Sequence, residues 1–364
     1  MLRCVLMLVL IVPCFAQKNP MRPEREKSIA QQFAPIIYQG LGDDPRADYI
    51  TNFDFDGDWE GDNNWSNLDN RKYRLRAYVY YSLLETTTHY FICYATFHPR
   101  DYKGGKANSS ILDALIKEGI RRAGKDPTGL ADDIALSHEN DLEGCLVIVE
   151  KRGSNFADAV VVYVETMAHN RFYKYRTTDA RSNTGEIIDL QDQHPMVFSE
   201  PKGHGVFSYS GSRDQLKKSI RGTLIYEPKG TADDAEEVRG KSLSYDLIPM
   251  QETLWKRAEG GTNDMYGEEF DYGKIAVTGI KSNGKETKIE TKIGKIGTNF
   301  LGKEGFKNKA RAPWAWYDSL EAERTTGEWF FNPAAVIARH FGLDKNFSQV
   351  YVYHPLLKYD AIRQ

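Results

Sequence analysis

A chain of 364 residues with a formal charge of −3 has no basic excess, which argues against a nucleic-acid-binding surface. Its 41 % hydrophobic and 12 % aromatic content is ample for a packed core. Beyond the first residues, no apolar run approaches the roughly 20 residues that a membrane-spanning helix needs, so the mature chain is expected to carry no transmembrane segment.

The N-terminus reads as an export signal. Arg3 precedes the apolar run 4–12, and small residues follow where a signal peptidase cleaves, so residues 1–16 are expected to be removed and the mature chain to be secreted or periplasmic. Losing Arg3 and no acid moves the formal charge from −3 to −4. A lipoprotein anchor at Cys14 is disfavoured by Pro13, which stands where such sites want a small, flexible residue. Cys93 and Cys145 remain, each in an apolar strand-like run, and the sequence leaves a disulfide and two separate core thiols equally open.

Along the mature chain, the segment Asp54-Phe-Asp56-Gly-Asp58-Trp-Glu60-Gly-Asp62 alternates carboxylates. Asp54, Asp56, Asp58 and Asp62 are a candidate second cation loop, although Trp59 stands where an EF-hand needs Gly and Trp65 where it needs a bidentate Glu. Such clusters also simply make turns through bonds to their own backbone. Runs rich in Tyr, Val, Ile and Phe then predict strands at 77–81, 90–97, 146–149, 160–164, 196–198, 222–226, 274–277 and 350–353, with a hairpin turn at Asn283-Gly284. Helices are expected over 111–123, over 250–258, and over 333–341 with Pro333 in the first turn and Gly342 as the stop. Many short strands and few helices indicate an all-β dominated fold, an antiparallel β-sandwich decorated with peripheral α-helices. One domain is expected over 17–364, with an insertion around 227–309 where Gly, Lys and Glu dominate.

The segment His138-Glu-Asn-Asp-Leu-Glu143 carries the visible chemistry. Asp141 and Glu143, two apart, project from one face of a strand, and His138 needs a bulge or bend to join them. One imidazole with oxygen donors favours a hard divalent cation, Mg²⁺, Mn²⁺ or Ca²⁺, over zinc. The alternative is an acidic strand end beside a solvated His. The remaining imidazoles say less. His204 sits between two glycines and is either a site or a turn residue; His89 and His98 flank an apolar strand as packing residues, and Arg100 or Asp101 at that strand's end is within reach of a cleft. Trp314, Trp316 and Trp329 read as core, with sugar stacking the minority alternative. The triplets at Asn64, Asn108 and Asn346 fit the N-glycosylation pattern, which has meaning only in a eukaryotic source.

Four segments resemble one superfamily: Phe33-Ala-Pro-Ile-Ile37, Tyr90–His98 with Pro99-Arg-Asp101, His138–Gly144, and His194-Pro-Met-Val-Phe198 with Gly203-His204. That superfamily joins the necrosis- and ethylene-inducing-protein-like secreted proteins with relatives of vacuolar protein sorting-associated protein 62. The resemblance implies a divalent cation held by His138, Asp141 and Glu143 in an acidic cleft at one end of a β-sandwich, with His204 facing the cleft. Asn140 and Leu142 replace a His and a Trp of the plant-toxic members, and their additional upstream Asp has only Asp132 and Asp133 near its spacing. Asn140, His204, Asp132 and Asp133 are therefore the expected cleft-lining residues. Plant toxicity does not transfer with the fold, because function belongs to the site.

The expected function is a secreted, cation-dependent binder of a glycan or glycolipid headgroup, acting at membranes. Two alternatives stand beside it. One is a metal-dependent phosphoester or glycoside hydrolase using Glu143, Glu139 or His204 as its proton-handling group. The other is a module in which the cation only stabilises the fold.

Overall fold

A computed structural model describes residues 22–103, 137–281, 283–321, 326–357 and 359–361. The expected signal segment 1–16, the helix over 111–123, and Asn108, Asp132 and Asp133 lie outside the described residues. The main strands are β1 (Ile36–Gly40), β2 (Tyr78–Thr86), β3 (His89–Asp101), β4 (His138–Glu150), β5 (Val160–Ala168) and β6 (Arg171–Arg176). β2 through β6 are successive antiparallel neighbours in an 11-stranded sheet. β1 lies in a 6-stranded sheet between His194–Ser199 and Thr223–Glu227. The architecture is a β-sandwich with a few helices, as the strand-rich sequence predicts, but its pairing is mixed. β1 runs parallel to His194–Ser199, and Asp246–Pro249 runs parallel to β2.

β3 and β4 are the spine of the molecule, and they are buried along nearly their whole length because the large sheet is covered on both faces. Along β3, Phe91, Cys93, Ala95 and Phe97 enter one core while Tyr90, Ile92 and Tyr94 enter the other. The first core is closed by Trp255, Trp314, Trp316, Trp329 and the helix Pro333–Phe341; the second by the smaller sheet and the helix Arg22–Phe33. Each large apolar side chain removed from water contributes about 1.5–3 kcal/mol, which makes this double cover the main source of stability.

Several local features depart from expectation for identifiable reasons. Cys145 stands opposite Tyr94, and Cys93 opposite Leu146, so the two thiols point into different cores and are not disulfide-bonded. The expected helix over 250–258 is a 3₁₀ turn, Met250–Glu252, followed by a short helix Leu254–Ala258. The hairpin at Asn283-Gly284 closes through Lys281 N–H to the Lys285 carbonyl, which leaves three loop residues instead of two, with Gly284 at φ 79°. Residues 227–309 contribute the strand beside β2, the edge hairpin Lys274–Ile280 with Glu286–Lys292, and the core residues Met250, Leu254, Tyr266 and Phe300. The helix Arg22–Phe33 had no clear sequence signal, because only Ile29, Ala30 and Phe33 of its apolar residues reach the core. The helix Pro333–Phe341 forms as read, stopped by Gly342 at φ 60°. No helix among the described residues is long and apolar enough to cross a membrane.

Under that helix, His340 joins two carboxylates, with Nδ1 2.6 Å from Glu165 and Nε2 2.6 Å from Glu321. Burial lowers the His340 pKa, but the bond and charge of Glu165 outweigh it and the net shift is upward. The imidazolium therefore stabilises the fold fully below its unfolded value of 6.5, and that contribution is lost as pH rises through the higher folded value. His340→Gln is expected to cost about 1–2 kcal/mol at pH 6, with the gap to wild type narrowing at alkaline pH, as read by urea unfolding across pH. For the cysteines, alkylation of the unfolded, unreduced mature protein should modify Cys93 and Cys145 in full by mass spectrometry; a bridged pair would take up no reagent.

Candidate metal centre

At the paired ends of β3 and β4, Asp101 lies opposite His138 and His98 opposite Asp141. Between them Pro99 lacks an N–H, and Asn140 takes a left-handed φ of 59°, so the ladder bends there. The bend is held by the Asn140 side chain. Its amide donates to the carbonyls of Gly61 at 2.7 Å and Leu301 at 3.0 Å, and its oxygen accepts from Asn64 at 2.8 Å. Across this kink His138, Asp141 and Glu143 line one cavity of about 40 Å³ together with Asp101, His169, Gly203, Lys309, Arg311 and Trp316.

His138 is fixed in orientation. Its Nδ1 is 2.7 Å from the carbonyl of Asn140, an acceptor only, so Nδ1 carries the proton. Nε2 is turned to Asp101, 3.4 Å from Oδ2, and the other oxygen of that buried carboxylate has no hydrogen-bond partner. A ring N–H given to a backbone carbonyl is the arrangement that orients metal-binding imidazoles.

Asp141 is buried, and burial alone would raise its pKa; the bond and charge of His204 reverse this and hold it below the usual carboxylate range. Its Oδ1 accepts from the Leu142 N–H at 2.9 Å and its Oδ2 from His204 Nδ1 at 2.8 Å. His204 is itself pulled down by burial, then lifted above its ordinary value by Asp141 and by Asp48, whose Oδ1 is 3.4 Å from Nε2. Its other face stacks on His98 with ring centroids 3.7 Å apart, and burial together with the His204 charge keeps His98 neutral.

The side chains gathered here are of the kind a hard divalent ion takes: the carboxylates of Asp101, Asp141 and Glu143 with the single imidazole of His138. No three of these four side chains bring donor atoms within 4.8 Å of one another. Among the described residues, the trio whose donor atoms all lie within 4.8 Å of one another is instead Glu321, Glu328 and His340. That trio is neutralised internally by Arg339, 3.1 Å from Glu321 and 2.8 Å from Glu328, and by the bonds of His340 to Glu165 and Glu321.

Other sequence candidates take different places. Glu139 accepts backbone N–H groups from Trp65, Lys303 and Glu304 and so clamps two loops; His204 is wholly enclosed behind Asp141. Asn140 serves the kink and does not line the cavity. In the acidic loop, Asp54 accepts from Asn52, Asp56 from Asn67 and Asp58 from the Glu60 N–H, while Asp62 lies 3.9 Å from Lys303; the four acids brace a turn and do not converge. Sequence reasoning missed Asp48, Lys103, Lys309 and Arg311. Asp48 is brought in by the folding of distant chain, whereas Lys103 lies two residues after Asp101, and nothing in the local sequence of either marks it. The pair Lys309 and Arg311 has the two-residue spacing of a strand face, a usable but common signal.

Comparison with known proteins gives a limited return. No family model matches the chain, and no curated protein does. Among solved structures, the non-toxic HaNLP3 protein matches at 14 % identity and TM-score 0.31, over 65 % of this chain and 80 % of that one. Necrosis and ethylene inducing protein 2, from the causal agent of cocoa's witches' broom disease, matches at 13 % and 0.28, over 61 % and 73 %. NLPPya in complex with glucosamine matches at 14 % and 0.28, over 60 % and 72 %. Scores this low transfer no chemistry. None of the three bears a vacuolar-sorting name, so that half of the resemblance rests on sequence alone.

Breaking a buried ion pair by removing one partner costs about 3–5 kcal/mol, so His204→Gln should destabilise the protein on that scale at pH 7. Asp62→Asn, at a half-exposed pair, should cost under about 1 kcal/mol. Urea denaturation of both variants checks the contrast; comparable losses would mean that the acidic loop holds more than a turn.

Proposed function

We propose that this chain binds a divalent cation through His138, Asp101, Asp141 and Glu143 and uses it to bind a glycan or lipid headgroup. The observation that carries the reading is the orientation of His138, with Nδ1–H donating to the Asn140 carbonyl and Nε2 3.4 Å from Asp101, beside a cavity that Asp141 and Glu143 also line. When bound, the ion supplies a Lewis-acidic site for a hydroxyl or phosphate oxygen. The protein supplies the rest: His204 keeps Asp141 ionised and aimed, Asn140 holds the kink, and Lys309 and Arg311 on the cavity wall favour a ligand bearing negative charge. Of the groups a hydrolase would need, Glu143 lines the cavity, whereas Glu139 and His204 are committed elsewhere, which favours binding over turnover.

Two measurements test this. The metal content of purified mature protein should approach one ion per chain and fall to background in Asp141→Ala. Headgroup arrays spanning neutral sugars, glucosamine, phosphorylated sugars and anionic lipids should then show binding that chelator abolishes and Mn²⁺, Mg²⁺ or Ca²⁺ restores. Equal binding with and without chelator sinks the cation dependence, and turnover of a phosphoester lost in Glu143→Gln would favour the hydrolase.

A further inference from the structure

Lys103 places an ammonium against Asp101, one of the residues that line the cavity. Its Nζ is 2.7 Å from Asp101 Oδ2 and 3.0 Å from the Lys202 carbonyl, with only 11 % of the side chain exposed. The fit is close: a Cβ at position 203 would stand 2.5 Å from that nitrogen, and Gly203 has φ 119°, so a glycine is needed both for the backbone and for the space. The carboxylate oxygen that Lys103 holds is the one His138 Nε2 faces at 3.4 Å. The cation position of the proposed function is thus already served by a positive charge belonging to the chain.

We propose that Lys103 is a built-in competitor for the divalent cation at Asp101, and that loading the site requires its ammonium to leave. The inference rests on the cation reading above and adds what controls it. Shared geometry gives the reason: Lys103 already holds Asp101 Oδ2 at 2.7 Å, the oxygen beside His138 Nε2 that a cation at this site would take. A divalent ion held by Asp101 would also crowd the ammonium, because like charges repel most strongly where water is largely excluded. Lys103 therefore sets how tightly the site takes a cation.

The test uses the full mature chain and Mn²⁺. By calorimetry, Lys103→Met should bind Mn²⁺ about ten-fold or more tightly than wild type, because the competing charge is gone. Independently of that variant's folding, acylation of wild-type lysines mapped by mass spectrometry should find Lys103 protected without metal and reactive at saturating Mn²⁺, with the other lysines as internal controls. Equal affinities, or a Lys103 that stays protected while Mn²⁺ binds, overturn the displacement and leave the cation reading intact. Failure of both wild type and Lys103→Met to bind Mn²⁺ overturns the two together.

Discussion

The ion pair of Asp141 and His204 is the interaction on which the site end of this molecule depends. Asp141 sits near the end of a strand buried on both faces, where an unpaired carboxylate would be protonated or would hold the strand open. The imidazolium at 2.8 Å permits the charge, and Asp48 on the far side permits the imidazolium. Asp48 in turn accepts the backbone N–H groups of Gly42 and Lys202, which fixes two loops around it. One ionised pair therefore organises β3, β4 and the loops after β1 and before His204, and the cavity has its walls because that chain of bonds is complete.

How much of this was legible in the sequence follows the range of each cause. Strand positions, the helix Pro333–Phe341 and the spacing of Asp141 and Glu143 are local properties, set by two-residue alternation and by proline and glycine punctuation. The need for a bend between His138 and Asp141 was legible too, since a three-residue offset cannot share a strand face. What supplied the bend was not, because Asn140 is fixed by Gly61, Asn64 and Leu301, which only folding brings near. The same holds for the cysteines: one step of register on neighbouring strands sends them to opposite cores, and no composition reveals register.

Acidic residues misled for a related reason. Carboxylates bind cations and backbone N–H groups with the same oxygens, so Glu139 and the acids from Asp54 to Asp62 resemble ligands in sequence while acting as scaffold. The structure separates the two by what faces each oxygen. Where an N–H or side-chain amide approaches, as at Glu139 and Asp56, the acceptor capacity is spent; at Asp101, Oδ2 is taken by Lys103, while the buried Oδ1 has no hydrogen bond among the described residues and keeps its capacity.

That criterion also decides what the cavity can discriminate. Its floor is acidic and its wall carries Lys309 and Arg311, so a neutral or cationic sugar would leave the wall's charges facing an apolar or like-charged group. Under the proposed function, an anionic headgroup would meet the wall directly and the floor through the proposed cation, and like-charge juxtaposition would disfavour an amine. Arg311 gives the wall its rigidity, since its guanidinium donates to Asn170 at 2.6 Å and its carbonyl accepts from the indole of Trp316 at 3.0 Å. A charge held in this way is paid for during folding and not again on binding, which is what a selective headgroup site requires.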